Sequence, residues 1–545
     1  MKNRFVHCVT MLVALAVVAA SCGGGDSDSA EGTSDAGELR YGGDIVYGLE
    51  AENSGGWCLP EGQLAISGIM VARAIYDTLT IPDADAQYVP FLAESVEPNG
   101  DFTQWSIKLR DGVTFHDGTP LDATVVKNNL DAFRGTYPAR QPLLLRFIFD
   151  PIADVSVVDD LTVSVTTKVP WPAFPASLFS EGRAGISAQA QLDDPETCDR
   201  NLIGTGPFRF EEWVQNDRLV VTRNDDYWRT DADGNQLPYL DRVEFRPYVD
   251  ATTRANALLS DEIQMGLGGG ATEFAIWQDA AEAGEIQVLK ADQYPEVGFQ
   301  IINVGTEPFN NRNARIAAAA ALDRDEINDI RNQGLLRIAD GPFGPGNMGY
   351  LEDTGYPDFD LDRAREAAAA YEAETGKPLT FTYTYQADPE TTQLAQLLQE
   401  QWGRAGIEVN LASIEQSALI STAISGEYQV ISFRNHGGGD PDVQYIWWYG
   451  GSPLNFGRID DPRINDLLDR GRSSSDAAER TQIYEEINTI MGEEAYAQWI
   501  TWVDWVLGFR NDLHGVMGPQ LPDGAEPFPG LAAGHTLAGV WISGS

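Results

Sequence analysis

Residues 379–414 read LTFTYTYQADPETTQLAQLLQEQWGRAGIEVNLASI. Two short runs of strand-forming residues, LTFTYTY and IEVNLASI, flank TTQLAQLLQEQWGRAG, in which leucines recur at helical spacing. Strand, helix, strand is the signature of a parallel pair, because two parallel strands need a crossover of about a dozen residues or more. The stretch therefore predicts an α/β fold. The same texture surrounds it. ARIAAAAALDRDEI (314–327), DRAREAAAAYEAETG (362–376) and ERTQIYEEINTIMGEEA (479–495) read as helices, the second closed by Gly376. Earlier in the chain the texture is different. GGDIVYGL (42–49) reads as a first strand, and the apolar spacing of GQLAISGIMVARAIYDTLTIP (62–82) reads as a helix. WSIKLR (105–110) and ADVSVVDDLTVSVTT (153–167) alternate as a half-buried antiparallel sheet does, and FRFEEW and RLVVTRN continue in that style. A β-rich part, an α/β part and a short return predict two lobes with a cleft between them, the kind of place where small molecules bind.

The chain has 545 residues, too many for one domain, and a formal net charge of −45. Such an acidic surface excludes nucleic acid as a partner, since a basic footprint supplies that affinity. It describes a solvated exterior rather than an acid-specific task.

The N-terminus explains two of the four cysteines. Lys2 and Arg4 precede an apolar run, VTMLVALAVVAA, that is too short to span a bilayer of ~20 helical residues. It reads as a secretory signal over residues 1–21. Ala19-Ala20-Ser21-Cys22 resembles the bacterial lipoprotein cleavage box, with Ala19 where that box prefers leucine. The resemblance implies that Cys22 carries a lipid, and that residues 22–40, rich in Gly, Ser and Asp, are a flexible tether. Cys58 and Cys198 remain. Outside the cytoplasm two such cysteines usually pair, and no CxxC cluster argues for a metal.

Catalytic signatures are missing. The sequence has no GxxxxGK[ST], no GxSxG and no HExxH. The four histidines beyond the signal, His116, His436, His514 and His535, lie far apart. Carboxylates are abundant, so a glycan hydrolase with paired acids stays open as a remote alternative, but no pair is singled out.

Four segments together are similar to one family. LRDGVTFHDGTPLDATVVKNNLDAF (109–133), IGTGPFRFEEW (203–213), NDDYWRTDADGNQLPYLDRVEFR (224–246) and PFNNRNARIAAAAALDRDEI (308–327) resemble, in order, the motifs of family 5 extracellular solute-binding proteins. These are peptide, nickel and oligopeptide receptors of ABC importers. The resemblance implies a periplasmic-binding-protein-like α/β fold (type II, class C) with an inserted domain and a central interlobe cleft. The implied division is domain I at 41–83, 203–298 and 505–545, domain II at 84–202 and domain III at 299–504. It also implies a monomeric, non-enzymatic receptor without cofactor, held by its lipid at the extracytoplasmic face of the membrane. Such a receptor hands a captured solute to permease subunits.

The resemblance then gives an address to RNHGGGDPDVQYIWWYGG (434–451), the segment that faces the cleft in the family. It implies that Asp440 takes a ligand ammonium and that Arg434 meets a ligand carboxylate. Trp447 and Trp448 offer flat apolar area for a side chain or a sugar ring. Gly439 allows the backbone to line the pocket, and His436 stands beside it. The structural alternative is that Asp440 caps a turn, pairs with Arg434, and the tryptophans fill core. Trp57 in NSGGWCLPEGQ (53–63) and Tyr294 and Asn303 in QYPEVGFQIIN (293–303) are further candidates, with LGGGATEF (267–274) as a backbone contributor. Asp440 favours a peptide; the tryptophans keep an oligosaccharide in play.

Overall fold

A computed structural model describes residues 38–544 except Ser54, Asp388 and Gly437. The opening stretch forms the predicted unit. Strands Thr380–Gln386 and Glu408–Ile414 pair in parallel, with Tyr383 opposite Leu411, and helix Pro389–Arg404 crosses between them. Trp402, on that helix, is fully buried and donates its indole N–H to the Ala318 carbonyl at 3.0 Å, which ties the crossover to the alanine-rich helix Arg312–Ala320. Burying so large a ring contributes about 2–3 kcal/mol.

This unit is one edge of a six-stranded mixed sheet. Its order is Arg337–Ile338, Ala497–Val503, Glu296–Ile302, Val430–His436, Thr380–Gln386, Glu408–Ile414. A second, seven-stranded sheet runs Ile286–Lys290, Val506–Arg510, Met265–Gly268, Asp44–Leu49, Arg242–Pro247, Arg218–Arg223, Phe208–Val214. Asp44–Leu49 lies at its centre, parallel to both neighbours. The chain passes between the two sheets twice, after Lys290 and after Val503. Asp504 sits at the second passage with its side chain fully buried. It meets Lys290 Nζ at 3.2 Å from one sheet and the Arg337 guanidinium from the other.

A four-stranded antiparallel sheet is inserted into the first lobe: Ala93–Pro98, Gln104–Leu109, Thr162–Thr167, Ile152–Asp159. Buried and exposed residues alternate along Gln104–Leu109, as its sequence pattern predicts. Helix Ala123–Phe133 packs on this sheet, and Asp122 caps it by accepting from the Thr124 and Val125 N–H groups, both at 2.9 Å. The HDGTPLDA segment is thus a turn and helix start. Tyr47, Leu507, Trp105 and Val163 belong to one apolar cluster, so the inserted sheet and the seven-stranded sheet share a core.

The Gly-Thr-Gly segment has a steric cause. A Cβ on Gly204 would stand 2.0 Å from the Ile75 carbonyl oxygen, and the Gly206 N–H donates to that same oxygen at 2.9 Å. Only glycine permits two backbones to pass so closely. Among the described residues no helix is long and apolar enough to cross a membrane.

Candidate functional site

Glu50 directly follows the strand Asp44–Leu49, and the strand Val430–His436 of the other lobe carries Arg434. Parallel strands of an open α/β sheet present their C-terminal ends to a crevice. Here those ends bring two charges together. Arg434 Nη2 donates to Glu50 Oε1 at 2.7 Å, across the lobes. Its Nε lies 3.9 Å from Glu296 Oε2, and its guanidinium stands 5.8 Å from the Trp505 ring. Trp505 in turn donates its indole N–H to Glu296 at 3.2 Å, fixing both. Glu50 first, then Glu296, hold the guanidinium above the usual arginine range, so Arg434 stays cationic. Its side chain is 45% exposed although it is paired. A solute can reach it.

The rest of the lobe contact is built on backbone. Gly438 has φ +65°, and a Cβ there would stand 2.7 Å from Glu181 Oε1 of the first lobe. A Cβ on Gly439 would stand 2.7 Å from the Tyr88 hydroxyl. Asn347 holds the loop by donating to the Gly438 carbonyl at 2.5 Å. Glycines are therefore required here because the lobes touch. Burial above all raises the Tyr88 phenol, so it remains protonated.

Several expected ligand contacts have other partners. Asp440 was expected to take a ligand ammonium. Its Oδ1 accepts from Arg480 Nη2 at 2.6 Å and from the Asp442 N–H at 2.8 Å, and its Oδ2 accepts from Arg480 Nη1 at 2.9 Å. The carboxylate is thus neutralised and capped from its own lobe. The alternative of a pair with Arg434 fails too, since that arginine faces Glu50. Trp448 is core, between Phe299 and Trp499, whereas Trp447 packs on Phe456 at 5.5 Å and keeps one part open. Trp57 is core as well, edge-on to Trp213 at 6.0 Å. Asn303 is buried and donates to the Gly426 and Tyr428 carbonyls, which makes it a loop brace. Tyr294 has φ +55° at the first passage between lobes and packs 4.4 Å from Phe528, half-buried. His436 pairs with Glu296 through the ladder, but its side chain, like Cys22, lies outside the described residues. In LGGGATEF, Gly268 and Gly269 make room for Glu273 and Trp505 rather than for a ligand.

Cys58 and Cys198 form a disulfide with an S–S distance of 2.02 Å. Glu61 lies within 4.8 Å of both sulfurs, but a disulfide lacks the thiolates a metal requires. Sequence reasoning missed Glu50, Glu296, Trp505, Glu181 and Tyr88. The position of Glu50 directly after the first strand was the one usable signal.

The family model of the bacterial extracellular solute-binding proteins, family 5 middle, matches residues 87–456. The chain belongs to this family, which consists of binding proteins and not of enzymes. A curated relative, the glutathione-binding protein GsiB of Pectobacterium atrosepticum, is 31% identical over 352 residues, which is 63% of this chain and 64% of the relative, so the match spans just under two thirds of the relative's length. The structure of the PBP AgaA in complex with agropinic acid, from A. tumefacien R10, superposes with a TM-score of 0.78 at 26% identity, covering 92% of this chain and 99% of that one. DppA from Helicobacter pylori in complex with peptide STSA has a TM-score of 0.79 at 21% identity, over 93% and 99% of the two chains, and shares the fold. The two-lobed periplasmic-binding-protein architecture is thereby established for this chain.

Proposed function

We propose that this protein is the lipid-anchored receptor of an ABC importer, and that it encloses a peptide or peptide-like solute between its lobes and passes it to a permease. The observation that carries the reading is the Glu50–Arg434 pair, one charge from each lobe, with the cation still open to solvent. A solute with an acidic and an amino end can exchange with both partners, its carboxylate taking the Arg434 fork and its ammonium taking Glu50. The relatives agree with such a solute, since one is named for glutathione and another was solved with peptide STSA. The ammonium role moves from Asp440, which Arg480 occupies, to Glu50. The glycine loop at 438–439 adds a second contact between the lobes, against Glu181 and Tyr88. The domain division at 84, 203, 299 and 505, the tether from Cys22 and the monomeric state complete the proposal.

The test is a calorimetric and thermal-shift titration with glutathione, the tetrapeptide STSA and N-acetylated STSA. Binding to the folded state stabilises it by about 2.7 kcal/mol at a hundredfold excess over Kd. Peptide or glutathione raises the melting temperature. Arg434→Gln and Glu50→Gln each weaken binding at least tenfold, and N-acetylation acts like Glu50→Gln. No shift with any of these solutes rejects the reading.

A further inference from the structure

We propose that the protein carries a second ligand site, apart from the interlobe contact, for a small organic carboxylate. A cavity of about 690 Å³ opens where three segments meet: Arg110–Val113 after the strand Gln104–Leu109, Trp228–Ala232, and Gln520–Leu521 near the C-terminus. None of its lining residues takes part in the Glu50–Arg434 contact.

Two guanidiniums converge on the Trp228 ring, Arg110 at 5.3 Å from its centroid and Arg229 at 5.9 Å. Arg229 is 4% exposed. Its Nη2 donates to the Gln520 carbonyl at 2.6 Å, and its Nη1 is buried without an acceptor among the described residues. Arg110 spends Nε on the Phe91 carbonyl at 2.6 Å and forms no ion pair among the described residues. A buried guanidinium N–H that lacks an acceptor bears its full desolvation cost, so an oxyanion brought to this place is strongly favoured.

The acids of the lining do not fill that role. Glu94 is paired with Lys108 at 2.5 Å. Asp231 accepts from the Tyr239 hydroxyl at 2.6 Å and from Asn235. Negative charge stands near both cations, Glu94 and Asp523 acting on Arg110 and the buried Asp77 acting on Arg229, so what this place lacks is an acceptor for Arg229 Nη1. A guanidinium fork matches a carboxylate, and the part-exposed Trp228 ring offers a flat apolar surface to the body of the ligand.

The test is calorimetric titration of the full chain with sodium benzoate at fixed ionic strength in chloride, with acetate and inorganic phosphate in parallel. Benzoate is expected to bind saturably at one site, tighter than acetate. Arg110→Gln weakens it at least tenfold, Arg110→Lys less, because charge remains without the fork. Ala232→Trp, a substitution at an exposed lining position, removes binding while the melting temperature stays that of the wild type. Absence of saturable binding, or Arg110→Gln binding as tightly as the wild type, overturns the site. Phosphate binding tighter than benzoate overturns its assignment to organic carboxylates.

Discussion

Asp440 and Arg434 share one loop, and their partners give them different work. Asp440 and Arg480 are both largely buried, with side chains 15% and 10% exposed, and each satisfies the other through two hydrogen bonds. Removing one member of such a pair leaves a buried charge alone, at a cost of about 3–5 kcal/mol. The Arg434–Glu50 pair is open to water, and exposed pairs contribute about 0–1 kcal/mol. Asp440→Asn is therefore expected to lower the unfolding free energy in urea by about 3 kcal/mol, while Arg434→Gln lowers it by less than ~1 kcal/mol and acts on solute affinity instead. The reverse ranking would return Asp440 to the ligand. The loop stood out in the sequence as a candidate, because glycines, charges and aromatics crowd there. The division of labour was not. Arg480 lies forty residues further on, in helix Ala477–Glu493, and no local pattern links the two.

Elements were more legible than contacts. The strand–helix–strand at 379–414 follows from periodicity alone, since period 2 and period 3.6 are local properties of the chain. Cys58 and Cys198, 140 residues apart, were readable as a pair from cysteine count and compartment. Their bond ties the loop after the first strand to the end of the inserted segment, with Trp57 donating its backbone N–H to the Asp199 carbonyl at 3.0 Å beside it. In the chain-entropy account, closing so long a loop stabilises by about 4–5 kcal/mol. Cys58→Ser is expected to lose most of that, read as the difference in urea midpoint between the variant and the wild type without reductant; a loss under ~1 kcal/mol would mean that the backbone contacts already hold the segment. The glycine loop behaves as an element of closure. Gly439→Val drives a side chain into the Tyr88 hydroxyl, so it is expected to hold the lobes apart, seen as a larger radius of gyration by small-angle scattering with little change in melting temperature. An unchanged radius would show that Tyr88 yields.

The whole molecule responds to pH through two histidines that lie far apart in the sequence. Burial pushes His535 down to about 4; it sits against the Tyr47 hydroxyl at 2.9 Å and near Arg73. Burial likewise takes His116 to about 4, beside the Gly206 carbonyl. Both pKa values are lower in the folded state than the ordinary 6.5, so between pH 6.5 and 4 the unfolded chain binds more protons. Stability is full above pH 6.5 and falls as the pH drops, by roughly 1.4 kcal/mol per unit for each histidine. His535→Gln is expected to flatten the fall in urea stability between pH 6.5 and 4.5; an unchanged slope would show that this imidazole takes up its proton without unfolding. By itself the sequence determined the α/β class, the parallel unit, the motif order of the family and the lack of catalytic signatures, because periodicity, turn chemistry and charge totals are properties of neighbouring residues. Only the tertiary structure decided which charges face the cleft. Arg434 and Glu50 are separated by 384 positions, and what pairs them is the crossing of two sheets, which brings the end of one strand in each lobe to the same crevice.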